Sequence, residues 1–293
     1  MISESDTRVE AALEAMKRGQ MVVVIDDHDR EGEGDIIAAA STITPEQMAF
    51  IVRHTSGIVC APITGERAQK LRLDPMVASN DSAHTTAFTV TIDFKHGTTT
   101  GISAEDRTAT VRALTDGNVA AEDFSRPGHI FPLIARRGGV LMRSGHTEAA
   151  VDLCRLADLP DVGVICELVN DDGTVTRGQQ VADFAAAHDL PLISVADLIA
   201  YRQRREKLVE RVATFEIDTA AGRAIAYAYS TPFDRVQHLA LVFGDVGQGV
   251  PVNVRLQRED IVTDVFGSAE KLNASIAALA ETGGVLVYLR EGN

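Results

Sequence analysis

Charged side chains are concentrated between two apolar runs near the N-terminus. Six carboxylates, one arginine and one histidine lie from Asp26 to Asp35, between the apolar residues 21–25 and 36–40. Carboxylates this close repel one another, and the repulsion grows as the site loses water. A divalent cation or a polyhydroxylated ligand would offset it, and hard oxygen ligands favour magnesium or manganese over zinc. The alternative is a solvated acidic turn, but the flanking apolar runs favour a ligand site.

A second polar stretch could bind an anion. Residues 143–147, Arg-Ser-Gly-His-Thr, are typical of a glycine-containing turn that enters a helix. The free N–H groups and the positive dipole end at such a turn bind phosphate. Arg143 and Thr147 would add side-chain donors. His146 could donate to phosphate, ligate a metal or only cap the helix, and these alternatives stay open.

Two single residues could transfer protons. His129 lies between Pro127 and Pro132, which predict a stiff loop, and histidine is the commonest general acid–base residue. Glu167 interrupts the apolar residues 162–169, where a carboxyl group tends to have a raised pKa that suits a general base. The structural alternatives are a surface histidine bonded to a carbonyl and an ion-paired glutamate at a strand end.

The elements that must position these residues alternate between strand and helix patterns. Thr44, Pro45 and Gln47 predict a helix that begins with a capping box. Strands are predicted at residues 21–25, 57–62, 88–93, 162–169 and 190–195, with residues 138–143 entering another. Helices are predicted at residues 7–18, 66–73, 103–114, 148–157 and 181–188.

Composition narrows the class of protein. The 293 residues carry a net charge of −14 without a basic tract, which argues against nucleic acid and anionic membranes as partners. The three cysteines lack a C-x-x-C spacing, which indicates buried thiols in a reducing compartment. The acidic N-terminus is unlike a signal peptide, and no apolar run approaches the length of a membrane span. We therefore expect a cytoplasmic globular protein.

Six stretches within the first two-thirds of the chain resemble 3,4-dihydroxy-2-butanone 4-phosphate synthase. They are residues 26–35, 53–60, 86–90, 99–107, 126–132 and 143–149, and the match continues through residues 166–173. This family of lyases makes the four-carbon precursor of riboflavin from D-ribulose 5-phosphate and releases formate. The resemblance implies an α/β fold, a three-layer sandwich with a mixed sheet between helices. It also implies a homodimer with the active site near the subunit interface.

The same resemblance implies roles for individual residues. Glu31 and His146 correspond to ligands of Mg²⁺ or Mn²⁺, and His129 and Glu167 correspond to the residues essential for catalysis. The substrate contacts implied are Arg30, Glu31, Asp35, Arg143, Ser144, Gly145, His146, Thr147 and Glu167.

The C-terminal part of the sequence resembles GTP cyclohydrolase II at residues 231–233, 238–244, 264–268 and 287–292. The positions of that enzyme's zinc cysteines hold Asp260, Lys271 and Asn273, and Glu270 replaces an arginine. The sequence also ends before that family's nucleotide-binding and catalytic segments. We therefore expect residues 1–208 to form a synthase domain. We expect residues 209–293 to form a small α+β domain, a truncated and degenerate remnant without zinc or GTP hydrolysis.

There are two rival hypotheses, and the first belongs to another class of protein. In one, the C-terminal module senses a nucleotide and the protein is regulatory, but no phosphate-binding loop occurs in residues 209–293. In the other, the protein is a different metal-dependent phosphosugar lyase or isomerase, which the full set of motifs argues against.

Overall fold

The computed structural model of this chain describes residues 3–26, 30–233, 236–247 and 249–291. The chain divides into two compact units, Met1–Arg205 and Glu206–Asn293. No helix within the described residues has both the length and the apolar character needed to cross a membrane.

A seven-stranded mixed sheet forms the centre of the first unit, in the order β4-β5-β3-β6-β2-β1-β7. Its strands are β1 (Val22–Ile25), β2 (Gly34–Ala39), β3 (Cys60–Ile63), β4 (Ile92–Phe94), β5 (Phe124–Ile134), β6 (Gly163–Glu167) and β7 (Leu192–Ser194). The pairs β1–β7 and β3–β5 are parallel, and the other pairs are antiparallel.

Helices cover both faces of this sheet. They are α1 (Glu4–Lys17), α2 (Pro45–His54), α3 (Gly65–Lys70), α4 (Ala104–Ala113), α5 (His146–Leu156), α6 (Gln179–Ala187) and α7 (Val195–Arg205). Alternate residues of a strand point to opposite faces. Val23 therefore packs in one core with residues of α2, α4 and α6, while Val22 and Val24 pack in a second core with residues of α1, α5 and α7. The predicted three-layer α/β architecture is confirmed.

Local signals explain where the helices begin. The Thr44 hydroxyl accepts a hydrogen bond from the Gln47 N–H, and the Gln47 side chain accepts one from the Thr44 N–H at 2.9 Å. This reciprocal pair satisfies two otherwise free donors at the start of α2, as the capping-box prediction requires.

The prediction of a loop at residues 126–132 is wrong, since they lie inside strand β5. The predicted strand at residues 88–93 is also largely wrong, because only Ile92–Phe94 forms β4 and Phe88 and Thr89 make isolated bridges. Proline has no N–H to donate, so it interrupts the ladder without ending the extended chain. The Pro132 carbonyl still accepts hydrogen bonds from both the N–H and the hydroxyl of Thr89.

Residues 138–143 do not enter a strand as predicted. Gly138 and Gly139 have left-handed backbone angles (φ +96° and +63°), and a single 3₁₀ turn, Gly139–Leu141, follows. An added Cβ at Gly139 would lie 2.1 Å from an Asp152 carboxylate oxygen. The local pattern could not reveal this close approach, because Asp152 belongs to the helix that follows.

The second unit contains a five-stranded sheet in the order β11-β12-β10-β9-β8, with helix α8 (Glu270–Thr282). The strands are β8 (Glu210–Thr219), β9 (Gly222–Ser230), β10 (His238–Phe243), β11 (Val254–Arg258) and β12 (Gly284–Leu289). Leu241, Phe243, Leu279 and Leu286 are among its buried core residues. This agrees with the predicted small α+β domain, although β11 was not predicted.

Candidate active site

The acidic stretch connects two central strands. β1 and β2 pair antiparallel, and the connection leaves β1 at Asp26 and enters β2 at Gly34. Gly34 is required here, because an added Cβ would lie 2.5 Å from a methyl carbon of Val181 on α6. Asp27, His28 and Asp29, which the sequence places in the same acidic stretch, lie outside the described residues.

Three side chains of this region could hold a cation together. Asp26, Glu31 and His146 each offer one ligand atom, and these atoms lie within 4.8 Å of one another. His146 is buried and is the first residue of α5, so the start of this helix lies next to the acidic connection. The structure therefore brings the predicted pair Glu31 and His146 together. Asp26 was not selected from the sequence, although its position directly after a buried strand was an available signal.

The hydrogen bonds of His146 suit metal binding. Its Nε2 lies 3.1 Å from the Val24 carbonyl oxygen, which can only accept, so Nε2 carries the proton and Nδ1 keeps a lone pair. Nδ1 lies 3.4 Å from Oδ1 of Asp35, and this buried oxygen has no hydrogen-bond partner in the described structure. Burial lowers the pKa of His146, which favours the neutral, ligating form. A buried acceptor without a donor beside hard ligands fits a divalent cation.

Electrostatics in the pocket push carboxyl groups toward the neutral form. Burial, together with the nearby carboxylates of Glu31, Asp26 and Glu33, raises the pKa of Asp35 well above its usual range. The Arg30 guanidinium partly compensates, because it donates to Asp26 and to Glu31, the latter at 2.8 Å. Like-charge crowding of this kind is typical of functional sites, where a bound cation or a shared proton relieves it.

Glu167 ends strand β6 directly opposite Asp35 in the sheet. The residue as a whole is exposed, but partial desolvation of its carboxyl group, followed by the charges of Asp35, Glu33 and Glu31, raises its pKa to about 7. A carboxyl group that titrates near neutral pH can accept and return a proton during turnover. The register of β2 and β6 therefore places a candidate base beside the candidate metal site.

The predicted anion-binding turn is the N-terminus of α5. Gly145 precedes the helix without a side-chain cap, so the first N–H groups of the helix are not satisfied by a capping side chain. Arg143 donates to Glu148 at 2.6 Å and to the Thr86 hydroxyl at 3.0 Å. An added Cβ at Gly145 would lie 2.5 Å from that Arg143 guanidinium, so a larger residue here would displace the Arg143 side chain.

These groups line one pocket of about 150 Å³. Among the predicted site residues, the lining includes Arg30, Glu31, Asp35, Arg143, His146, Thr147 and Glu167. Ser144 and Gly145 belong to the same turn but are not in the lining. Sequence reasoning missed Ile58, Cys60, Thr86, Phe88, Leu133, Ile165 and Cys166. The motif stretches quoted above contain Ile58, Cys60, Thr86, Phe88 and Cys166, which was the available signal.

His129 lies elsewhere in the unit. It sits on β5 rather than on a loop, and it is not among the residues that line this pocket. Its ring Nδ1 lies 2.7 Å from a carboxylate oxygen of Asp93, and its side chain is 42% exposed. The described chain therefore gathers Glu167 and the candidate metal ligands but does not bring His129 to them.

The second unit has no comparable cluster within its described residues. Asp260, Lys271 and Asn273 are all exposed, and Asp260 accepts hydrogen bonds from Thr263. The three cysteines of the chain, Cys60, Cys154 and Cys166, are buried in the first unit.

Comparison with known families divides the chain in the same way. Residues 10–201 match the family 3,4-dihydroxy-2-butanone 4-phosphate synthase, and residues 210–293 match the family GTP cyclohydrolase II. Because the second match is to a recognised family, the interpretation of residues 209–293 as degenerate is not supported.

Similar proteins include longer ones. The chain is 50% identical over 287 residues to the bifunctional riboflavin biosynthesis protein RIBA 1, chloroplastic, of Arabidopsis thaliana, covering 95% of this chain and 53% of that protein. It is 49% identical to the riboflavin biosynthesis protein RibBA of Nocardia farcinica, covering 96% of this chain and 70% of that protein. The chain thus spans about half to two-thirds of the length of these two relatives.

Two solved structures are also similar. RibBX of A. baumannii, described as a two domain 3,4-dihydroxy-2-butanone 4-phosphate synthase, has a TM-score of 0.83 and 40% identity, covering 98% of this chain and 82% of that one. A 3,4-dihydroxy-2-butanone 4-phosphate synthase in complex with two magnesium ions has a TM-score of 0.65 and 44% identity, covering 67% of this chain and 97% of that one.

Proposed function

Because this chain belongs to the 3,4-dihydroxy-2-butanone 4-phosphate synthase family, we propose that it converts D-ribulose 5-phosphate to L-3,4-dihydroxy-2-butanone 4-phosphate and formate, a lyase step of riboflavin biosynthesis. The observation that carries the proposal is the convergence in one pocket of three features. They are Glu31 and His146 of the candidate metal cluster, the N-terminus of α5 and the Glu167 carboxyl group.

We propose that Glu31 and His146, with Asp26 nearby, hold Mg²⁺ or Mn²⁺ rather than zinc. The two carboxylates are hard oxygen donors that favour these cations, although the imidazole is a borderline ligand, and the two magnesium ions in the similar synthase support this choice. When bound, the cation supplies Lewis-acid stabilisation of negative charge on adjacent substrate oxygens. The Val24 carbonyl orients His146 for this role through its hydrogen bond.

The substrate phosphate is assigned to the N-terminus of α5. Its free N–H groups and dipole favour an anion, and Arg143 and Thr147 line the pocket beside them. Ser144, Gly145 and His146 complete this turn. The acidic connection supplies Arg30, Glu31 and Asp35, which are assigned to contact the sugar hydroxyls.

Glu167 is assigned as a general base of the reaction. A pKa of about 7 keeps a substantial carboxylate fraction at neutral pH while allowing the acid form to return a proton. The proton next to the substrate carbonyl passes to the carboxylate, and the bonding pair remains on the substrate as an enediolate.

His129 is assigned as the second catalytic residue, supplied by a second copy of the chain. Its exposed ring does not line the pocket of its own unit, so a homodimer is proposed in which His129 of one copy reaches the other copy's pocket. This arrangement would place the active site near the subunit interface.

The direct test is formate release from ribulose 5-phosphate by the purified chain with Mg²⁺. Activity should be absent in EDTA, and Glu31→Gln should abolish it in the presence of Mg²⁺. Glu14→Gln is a matched control, because Glu14 is an exposed surface partner of Lys17. Full activity of the metal-stripped protein in EDTA would contradict the proposal.

A complementation experiment tests whether His129 and Glu167 of one site come from different copies of the chain. His129→Asn and Glu167→Gln should each be inactive, but mixing the two variants should restore activity. A mixed dimer contains one site with both native groups, so random mixing should recover about a quarter of the wild-type rate. If both groups act within one copy, the mixture should stay inactive.

We also propose that residues 209–293 form a domain without GTP cyclohydrolase II activity, whose role is scaffolding or self-association. The support is chemical, since residues 206–293 contain no cysteine and a catalytic zinc site of that enzyme uses thiolates.

A further inference from the structure

We propose that Asp93 is a positioning residue for His129, and that it fixes both the orientation of the imidazole and the nitrogen that carries its proton. The inference rests on the proposed function only in taking His129 as catalytic.

Both oxygens of the Asp93 carboxylate are engaged by His129. Oδ1 accepts the backbone N–H of His129 at 2.8 Å, and Oδ2 lies 2.7 Å from the ring Nδ1. A carboxylate only accepts, so Nδ1 carries the proton of the neutral ring and Nε2 keeps a lone pair. No described residue forms a hydrogen bond with Nε2, and the side chain is 42% exposed. The basic nitrogen is therefore directed outward.

The backbone around Asp93 is shaped to hold the carboxylate in place. The β4–β5 register shifts between Ile92 and Asp93, which turns Asp93 toward His129. At Gly101 an added Cβ would lie 2.0 Å from Oδ2 of Asp93, and at Gly128 it would lie 2.0 Å from the Ile92 carbonyl carbon. Two glycines from separate segments thus leave the space that this contact occupies.

The carboxylate has no competing cation. Within the described residues, no lysine or arginine forms an ion pair with Asp93, which is 9% exposed. The negative charge is therefore available to stabilise an imidazolium. When Nε2 accepts a proton from the substrate, the bonding pair stays on the substrate and the new positive charge faces Asp93, as in other histidine–carboxylate pairs.

The chain contains a matched control. His96 and Asp123 form a similar contact, Nε2 to carboxylate oxygen at 2.8 Å, but on the surface with the His96 side chain 64% exposed. Asp123→Asn changes the same chemical group in a pair to which no role in the reaction is assigned.

The test combines kinetics with ring ¹⁵N NMR of the full chain. Asp93→Asn should lower kcat by at least about a hundredfold with a much smaller change in KM, because the wrong tautomer cannot accept a proton at Nε2. The ring ¹⁵N signals of His129, identified by their loss in His129→Asn, should show the proton moving from Nδ1 to Nε2. Asp93→Glu keeps the charge and should retain the Nδ1–H tautomer and more activity than Asn. Asp123→Asn should change neither kcat nor the nitrogen of His129 that carries the proton.

Separate outcomes bear on the two proposals. An unchanged His129 tautomer in a folded Asp93→Asn variant would overturn the positioning role, even if His129→Asn is inactive. A fully active His129→Asn would instead refute the catalytic role of His129, and Asp93→Asn would then show no loss of kcat either.

Discussion

At the scale of single residues, partial desolvation and repulsion from neighbouring carboxylates together raise the pKa of Glu167. Its pKa of about 7 arises from burial first and from Asp35, Glu33 and Glu31 next. A general base must be ionised, so activity should fall as the pH drops through about 7. A bound cation favours carboxylates and lowers their pKa, so the acidic limb should move to lower pH as Mg²⁺ increases.

This prediction is checked by measuring kcat/KM from pH 5.5 to 8.5 at subsaturating and saturating Mg²⁺. The Glu14→Gln control should reproduce both profiles. Glu167 would not be the titrating base if kcat/KM were constant across neutral pH. The same would follow if the acidic limb stayed at the same pH at both Mg²⁺ concentrations.

The candidate metal site should also make metal binding stabilise the fold. Asp26, Glu31 and His146 converge only in the folded chain, so Mg²⁺ should raise the unfolding temperature. At a hundred times Kd the gain is about 2.7 kcal/mol, and Glu31→Gln should remove most of it. The measurement is thermal unfolding by circular dichroism over a Mg²⁺ titration. An equal shift in the Glu31→Gln variant would argue against a specific site.

At this scale the structure brings together predicted residues that lie in sequence motifs, whereas a local pattern carries no information about a distant partner. Glu31 and His146 were predicted and do meet in the structure. Asp93 was read only as the polar end of an alternating strand, because its contact with His129 spans 36 residues and depends on a strand register. No local pattern contains that information.

At the scale of elements, the entry of the acidic connection into β2 depends on tight packing against α6. An added Cβ at Gly34 would lie 2.5 Å from a methyl carbon of Val181, which is fully buried. We expect Gly34→Ala to destabilise the protein by about 1–3 kcal/mol through overpacking. Gly117→Ala is the control, because a Cβ there meets no atom within 4 Å.

The mechanism is checked by a double variant. Val181→Ala removes the methyl groups that Gly34→Ala would strike, so the two changes together should cost less than the sum of their separate effects. Urea unfolding of the four proteins measures this coupling. Strictly additive free energies would show that the Gly34–Val181 contact is not the cause.

Elements were predictable where their signals are local. The capping box at Thr44 and Gln47 is present as predicted, because a cap depends on residues three positions apart. Strand β5 was mistaken for a loop because two prolines are common in loops. In the sheet, Pro132 pairs opposite Ala61 of β3 while its neighbours supply the N–H groups. Pairing with the neighbouring strands β3 and β4 therefore explains why these residues are extended.

At the scale of the whole molecule, the two units differ in how much chemistry they carry. The first unit gathers carboxylates, an imidazole and a helix N-terminus into one pocket. The second unit has a regular sheet and a small core, and its positions 260, 271 and 273 hold exposed Asp, Lys and Asn. The interpretation of residues 209–293 as a degenerate domain is not supported, because residues 210–293 match the GTP cyclohydrolase II family.

The chemistry of the second unit argues against a catalytic zinc ion. A zinc ion of the cyclohydrolase kind needs thiolates, and the Lys271 ammonium would repel a cation where a ligand should stand. We therefore expect the purified 293-residue chain to contain no stoichiometric zinc and to release no formate from GTP. Because the synthase reaction also yields formate, the assay should use GTP alone and include Glu31→Gln to silence the first unit. Formate released from GTP by Glu31→Gln, together with zinc by elemental analysis, would establish a second active site built without cysteine.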